Sequence, residues 1–514
     1  MAETATGILK TLPAVCEYDW SCKDLSKRFT VVNPATGEPI TVIQAGNLDT
    51  VDGAIQASQK AFESWRWKTQ RERSLYLLQA ADEIQKHSHE LAVLLCLENG
   101  KPVKDASFDI TFLVQVFRYF GSIADKLPSE FFDQGNIYSS VIYEPHGVCV
   151  GILPYNWPPV HAGGKLAPCL AAGNTMVLKP GEQAPLTLMR IVEILQSVFP
   201  ADVVQAVPGL GPEIPEALIN HPLVKMASLT GSTVSGSKAA QTAAVTLTPT
   251  VLELGGKNAF VVFEDADLEL VVRDTIDGAF FNKGESCTAA SRILVHKNLY
   301  PIFVTRLTTA VKKLRTGDGF DETTHVGPVV SRERQQEILS YIEQGRREGA
   351  TLSAQGDLPT ASHLSGGFYV APTLFTDVTA EMSIAQAEIF GPVVTVGSFE
   401  TEEEAVNIVN SSQYGLFAGV YSGDFSRAMR VTRKLDVGVV LVNNYFRGLL
   451  GTPFGGVKGS GYGREHWIGT LREWSRIKNV RFPSGLGPIP AWGGAVDVIG
   501  LNWQRKDLLE YLQE

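Results

Sequence analysis

Lys225-Met-Ala-Ser-Leu229-Thr-Gly231-Ser-Thr-Val-Ser-Gly236 is the segment on which the fold turns. An apolar run of strand length stops at a Gly-Ser turn, and residues 233–244 continue as a helix. The same alternation extends to both sides. Residues 148–153, 175–179, 203–207, 225–229 and 250–254 read as strands. Residues 163–172, 186–198, 213–220 and 233–244 read as the helices between them. Such alternation predicts an α/β fold with a Rossmann-like parallel sheet, helices on both faces and a nucleotide site at the carboxyl ends of its strands.

Further out the pattern repeats or changes. A second alternating set runs from 259–263 to 438–442 and predicts a second α/β domain. The N-terminal third reads mostly as helices, with 48–67 and 71–98 at helical spacing and Gly100-Lys-Pro102 closing the latter. Residues 136–143 alternate as a strand. The tail after Val480 is rich in Gly, Pro and Trp and ends in a short helix over 506–512.

Composition narrows the function. A chain of 514 residues with 44% hydrophobic and 19% charged residues is a folded protein of two or more domains. Its net charge of −10 and scattered Lys and Arg argue against nucleic-acid binding, which needs a basic stripe. The six cysteines (16, 22, 96, 149, 169 and 287) contain no CxxC pair, so no metal is expected. No apolar run reaches the roughly 18–20 residues of a membrane span. Residues 1–15 lack a signal-peptide pattern, and Tyr511-Leu-Gln-Glu514 matches no retention signal. These features predict no membrane partner and a cytoplasmic location.

Four motifs carry chemistry. Gly231 to Gly236 lets a backbone approach a pyrophosphate at a helix N-terminus, although ordinary turns share these residues. Lys179-Pro-Gly-Glu182, at a strand end, can hold an adenosine ribose, its acid accepting from the hydroxyls and repelling a 2′-phosphate; alone it also reads as a solvated turn. Asn282-Lys-Gly-Glu-Ser-Cys287 presents a thiol between a helix and a strand over 292–296, either as nucleophile or as an inert buried thiol. Val251-Leu-Glu253-Leu-Gly-Gly-Lys257 buries a glutamate in an apolar strand. Its pKa should rise toward that of a general base, unless a partner makes it purely structural.

Together these residues resemble the aldehyde dehydrogenase superfamily over nearly the whole chain. Asn33-Pro-Ala-Thr-Gly-Glu38, Pro154-Tyr-Asn156-Trp-Pro158, Leu252-Glu253-Leu-Gly-Gly-Lys257, Gly284-Glu-Ser-Cys287, Glu388-Ile-Phe390-Gly-Pro392 and Pro453-Phe-Gly-Gly-Val-Lys458 carry the resemblance in order. It implies NAD-dependent oxidation of an aldehyde to a carboxylic acid, with NADP as a further possible cofactor. Cys287 would be the nucleophile, passing through a thiohemiacetal and a thioester. Asn156 would hold the oxyanion, Glu253 would be the base, and Lys165 and Glu465 would pass protons beside it. Lys179, Glu182, Gly231, Ser232, Gly236, Leu254, Glu388 and Phe390 would bind the cofactor. Leu229 stands where many relatives have Phe, a packing change.

The resemblance also implies an architecture. Residues 1–130 and 147–256 would form the NAD-binding domain, with 443–470 returning to it. Residues 257–442 would form the catalytic domain. Residues 131–146 and 471–490 would form a small β arm for homodimer or homotetramer assembly. Residues 491–514 would be a C-terminal extension holding Trp492 and Trp503, suited to cover the substrate entrance or a subunit interface.

The matched substrate positions are Phe112, Trp157, Val160, Gly164, Phe281, Ser286, Thr288 and Phe454; four are aromatic and none is charged. They favour an apolar or aromatic aldehyde, with Gly164 leaving room. Arg447 could reach an acidic semialdehyde but reads first as a solvated loop residue. Glu253 argues against a CoA-acylating enzyme, and the intact set of Asn156, Glu253, Cys287 and Glu388 against a non-catalytic protein on the same fold.

Overall fold

A computed structural model describes residues 28–489. Cys16, Cys22, Trp492, Trp503 and the short helix expected over 506–512 lie outside the described residues. Two large sheets and one small one organise the chain. The first has the order Gly461–Tyr462, Thr250–Glu253, Val224–Thr230, Val148–Ile152, Thr175–Lys179, Val204–Ala206. The last five strands are parallel, and Gly461–Tyr462 joins antiparallel from a distant part of the chain. Val148–Ile152 and Thr175–Lys179 are buried along their whole length, as expected of strands covered on both faces.

The strand order reverses between Val148–Ile152 and Val224–Thr230. Connections leaving these neighbours diverge to opposite faces, so a crevice opens at their carboxyl ends. The second sheet is ordered Thr351–Gln355, Thr373–Thr376, Val393–Phe399, Arg292–His296, Ala259–Val262, Phe417–Tyr421, Val439–Val442. It is parallel apart from the first pair. The third pairs Ser475–Pro483, Ile137–Pro145 and Glu130–Asp133 antiparallel.

The helix expected over 71–98 is two helices, Gln70–Lys86 and Ser88–Asn99, meeting at His87 (φ −94°, ψ 8°). His87-Ser-His89 are weak helix formers, and the His87 ring bonds Glu90 at 2.9 Å. Periodicity bridged the break because apolar residues continue on either side. The longest helix, Val103–Ile123, was not singled out in the sequence; it carries Phe108, Phe112 and a buried Asp109. No helix among the described residues is long and apolar enough to cross a membrane.

Asn174 ties the first sheet to the segment that leads into the small sheet. Its Nδ2 donates to the Trp474 carbonyl at 2.7 Å and to the Cys169 carbonyl at 3.2 Å, and its Oδ1 accepts from Gly147 N at 3.0 Å. The side chain is fully buried, so these backbone groups have no water to replace it. Asn174→Ala should therefore destabilise the protein by at least about 1–3 kcal/mol, read as a lower urea midpoint. An unchanged midpoint contradicts this role.

Candidate active site

Cys287 follows three consecutive left-handed residues, Asn282 (φ 50°), Lys283 (φ 63°) and Gly284 (φ 70°). Two of them are not glycine, so side-chain bonds must hold the turn. Lys283 Nζ donates to the carbonyl and to Oδ1 of Asn99, each at 2.8 Å, and pairs with Glu285 at 2.8 Å. Asn282 Nδ2 donates to the carbonyls of Asn156 (3.1 Å) and Glu285 (2.9 Å). A Cβ on Gly284 would lie 2.2 Å from the Gly391 carbonyl oxygen, so the approach there requires glycine. Asn258 Nδ2 donates to the carbonyls of Cys287 (2.7 Å) and Ala289 (2.9 Å).

The thiol opens onto a cavity of about 350 Å³. Cys287 is half-buried on its wall. Burial, then the carboxylates of Glu388 and Glu253, push its pKa up to about 12. Both oxygens of Glu253 lack a hydrogen-bond partner among the described residues. Burial and the neighbouring Glu465 raise the Glu253 pKa well above the usual carboxylate range. Lys165 opposes that rise; its Nζ donates to Glu465 at 2.8 Å and to Ser228 Oγ at 2.9 Å. Asn156 is buried, with Nδ2 donating to the Glu285 carbonyl at 3.1 Å. Its own carbonyl accepts from Lys101 Nζ at 2.9 Å, and Lys101 also pairs with Asp109 at 2.6 Å.

Phe112, Trp157, Val160, Phe281, Thr288 and Phe454 line the cavity together with Phe108, Tyr445 and Phe446. Gly164 and Ser286, expected beside them, are not on this wall. A Cβ on Gly164 would sit 2.9 Å from His466 Nε2 and 3.2 Å from Glu465 Oε2, so these side chains occupy the room that the glycine leaves. Ser286 Oγ turns to Thr288 Oγ1 at 3.0 Å. Arg447 is on the wall and is not a solvated loop residue, because its Nη2 donates to Asp277 at 2.8 Å. The wall is therefore not free of charge.

A second cleft, of about 430 Å³, lies at the reversal of the first sheet. Lys179, Glu182, Gly231, Ser235 and Lys238 line it, and Thr230 lines both this cleft and the thiol cavity. Lys179 is 5% exposed and faces Glu182 at 3.3 Å, while Glu182 accepts from Gly211 N at 2.7 Å. Ser232 caps the helix Thr233–Val245 by accepting from Ser235 N at 3.1 Å. A Cβ on Gly231 would meet nothing closer than 3.4 Å, so a ligand can approach that backbone. Gly236 and Leu254 instead face each other: a Cβ on Gly236 would lie 2.4 Å from Leu254 Cδ2. They set helix–strand packing and do not line the cleft.

Glu388 reaches the glutamate segment, where Gly256 N donates to its Oε1 at 3.0 Å. Burial pushes its pKa up to about 7. Phe390 holds a left-handed φ of 55° and packs edge-on to Tyr155 at 6.1 Å. Asn258, His161, His466 and Tyr445 carry no signal of their own in the sequence, and Lys101, Asn282, Lys283 and Glu285 stand there in motifs without a role of their own. The available signal was the density of polar residues in stretches that must be buried.

The aldehyde dehydrogenase family model matches residues 20–480. The chain is 90% identical over 501 residues to the aldehyde dehydrogenase citD of Monascus ruber, covering 98% of this chain and 100% of the relative. An aldehyde dehydrogenase of Didymella fabae is 54% identical over 491 residues, covering 95% and 99%. The crystal structure of betaine aldehyde dehydrogenase from Staphylococcus aureus in complex with NAD+ superposes with a TM-score of 0.90 at 35% identity. It covers 97% of this chain and 99% of that one. The parallel sheets, the small antiparallel sheet and the ordered motifs agree with these matches, and the chain belongs to the aldehyde dehydrogenase family.

Proposed function

We propose that this enzyme oxidises an aromatic or other apolar aldehyde to its carboxylic acid, with NAD as cofactor and a covalent intermediate on Cys287. One observation carries the reading: Cys287 and Glu253 face an aromatic cavity that meets a nucleotide-sized cleft at Thr230. The cleft fits NAD chemically. Lys179 and Glu182 suit the adenosine ribose, and Glu182 disfavours the 2′-phosphate of NADP. The open backbone at Gly231 and the helix N-terminus at Ser232 suit a pyrophosphate. Glu388 and Phe390 would hold the nicotinamide end. When bound, NAD supplies the hydride acceptor.

The protein's own groups do the rest. The thiol must first lose its proton, and Glu253 and Glu388 are the carboxylates that raise its pKa. Proton transfer to either removes one of those charges and favours the thiolate. The thiolate adds to the carbonyl carbon. Its oxyanion receives the free N–H of the Asn156 amide and the Cys287 backbone N–H, a donor set in which one loss typically costs about 2.7–4 kcal/mol of barrier. Loss of hydride from this adduct leaves an acyl thioester on Cys287. Glu253 then takes a proton from water, which attacks the thioester, and Lys165 with Glu465 relays that proton onward. Buried His161 and His466 are held neutral by desolvation, so they add no fixed charge to the cavity.

For the described residues the proposed domain partition is 28–130 with 147–256, joined by 443–470 as the pairing of Gly461 with Glu253 supports, then 257–442, with 131–146 and the segment from 471 onward as the arm. The edge strand Ser475–Pro483 exposes Ile477, Val480 and Phe482, and Phe131 stands exposed on the other edge. An open edge of this length, with exposed Ile477, Val480 and Phe482 among its cations, favours pairing with a second copy. Sedimentation should give a dimer or tetramer, and Val480→Asp should dissociate it; a wild-type monomer contradicts assembly.

Glu253→Gln should retain a burst of about one NADH per active site while steady turnover falls on the order of 10²–10⁴-fold, because Glu388 can still take the thiol's proton whereas hydrolysis needs Glu253. Unimpaired steady turnover contradicts the role. The pH dependence follows from the raised Glu253 pKa: its carboxyl is neutral at low pH and acts as base only when ionised, so turnover should climb with pH. Lys165 lowers that pKa, so Lys165→Met should move the rise to higher pH. A move to lower pH contradicts the relay.

A further inference from the structure

The solvent side of the thiol cavity holds a cation that the proposed chemistry does not use. Arg447 is 16% exposed, and its guanidinium lies 5.5 Å from the Phe281 ring centroid and 5.3 Å from that of Tyr445. Two rings therefore fix its plane. Asp277 accepts from Nη2 at 2.8 Å, and the Asp277 carbonyl accepts from Nη1 at 3.3 Å. Nε–H and the second proton of each terminal nitrogen have no hydrogen bond among the described residues. The other charged groups on the wall are acidic: Glu253 and Glu465, which are almost fully buried, and Asp277, the exposed partner of Arg447.

Position ties this cation to the reacting end. Tyr445 Oη donates to the Thr288 carbonyl at 2.8 Å, one residue beyond the nucleophile. Arg447 then stacks on the Tyr445 ring. The guanidinium thus stands one aromatic ring away from the backbone beside Cys287. Phe281, Trp157 and Phe454 line the same cavity as Cys287 and Arg447, so a flat substrate bonded to Cys287 would share it with the guanidinium.

We propose that Arg447 is the specificity-determining residue of the cavity, reading an anionic oxygen substituent, a carboxylate or phenolate, at the far end of an aryl aldehyde. The inference rests on the aldehyde oxidation proposed above. Its energetic basis is the free donors. In the empty cavity water satisfies them, and an aryl substrate displaces that water. An acceptor oxygen on the ring replaces the lost bonds, whereas a methyl group there strands them. Asp277 sets the strength of the site by partly neutralising the guanidinium and competing for its protons.

The test compares kcat/KM for para-carboxybenzaldehyde with that for para-methylbenzaldehyde, beside unsubstituted benzaldehyde, in the full-length enzyme. The wild type should favour the carboxylate on the order of ten- to a hundredfold, as expected for one hydrogen bond to a charged group. Arg447→Met should bring the ratio close to one, mainly through a higher KM for the carboxylate. Asp277→Asn should raise the ratio, since it removes the opposing charge. A wild-type ratio near one, with benzaldehyde still oxidised, overturns this inference and leaves the aldehyde oxidation standing. Arg447→Met lowering both substrates equally would mean a purely structural role and also overturns it. No NADH from any of the three aldehydes would overturn the aromatic reading and the inference together.

Discussion

The carbonyl oxygen of Cys287 is held by Asn258, and much of the site's geometry follows from that contact. Asn258 donates to Cys287 and Ala289 while its own Oδ1 accepts from Phe417 N at 2.9 Å. One side chain thereby fixes the nucleophile's loop to two neighbouring strands of the second sheet. A Cβ on Gly256 would sit 2.5 Å from the same Cys287 carbonyl, so the glutamate segment and the cysteine loop are also in direct backbone contact. On its other side, the left-handed turn before Cys287 reaches Asn99 through Lys283 and Asn156 through Asn282. The nucleophile loop is a seam, bonded to the helical region and first-sheet end on one side and to the second sheet on the other.

The seam also concentrates charge away from water. Cys287 lies within the fields of Glu253 and Glu388, and burial favours the neutral form of each of the three. Lys257 has no hydrogen-bond partner at Nζ among the described residues, and burial brings its pKa down to about 7. A site with several groups that gain or lose protons near neutrality suits a reaction that must take a proton from a thiol and later from water. The Lys101–Asp109 pair does different work: it is fully buried, it braces the Asn156 carbonyl, and its ammonium lies 4.4 Å from the Trp157 ring centroid.

The parallel sheets were legible because strands buried on both faces appear as nearly unbroken apolar runs, as in Val148–Ile152, and because glycine turns mark where several of them stop. The boundary at His87 was not legible, since apolar spacing survives a one-residue break. Six of the eight expected pocket residues line the cavity; Gly164 does not, because its emptiness is filled by His466 from a segment three hundred residues on. Arg447 shows the same limit. Its sequence neighbours suggest an exposed loop, and only the fold brings Asp277, Phe281 and Tyr445 around it. The supporting asparagines and lysines were silent for a related reason: a polar residue becomes informative only when its burial and its partner are known.

The central claim is that an acyl group derived from the aldehyde is carried on Cys287 and released by Glu253. It is tested most directly by mixing the Glu253→Gln enzyme with NAD and benzaldehyde, quenching in acid and mapping the adduct by peptide mass spectrometry. The account predicts one benzoyl group on the peptide containing Cys287, stable in the variant and absent when the wild type is quenched after turnover. A benzoyl group on another residue, or NADH formation with no acylated cysteine, would contradict it.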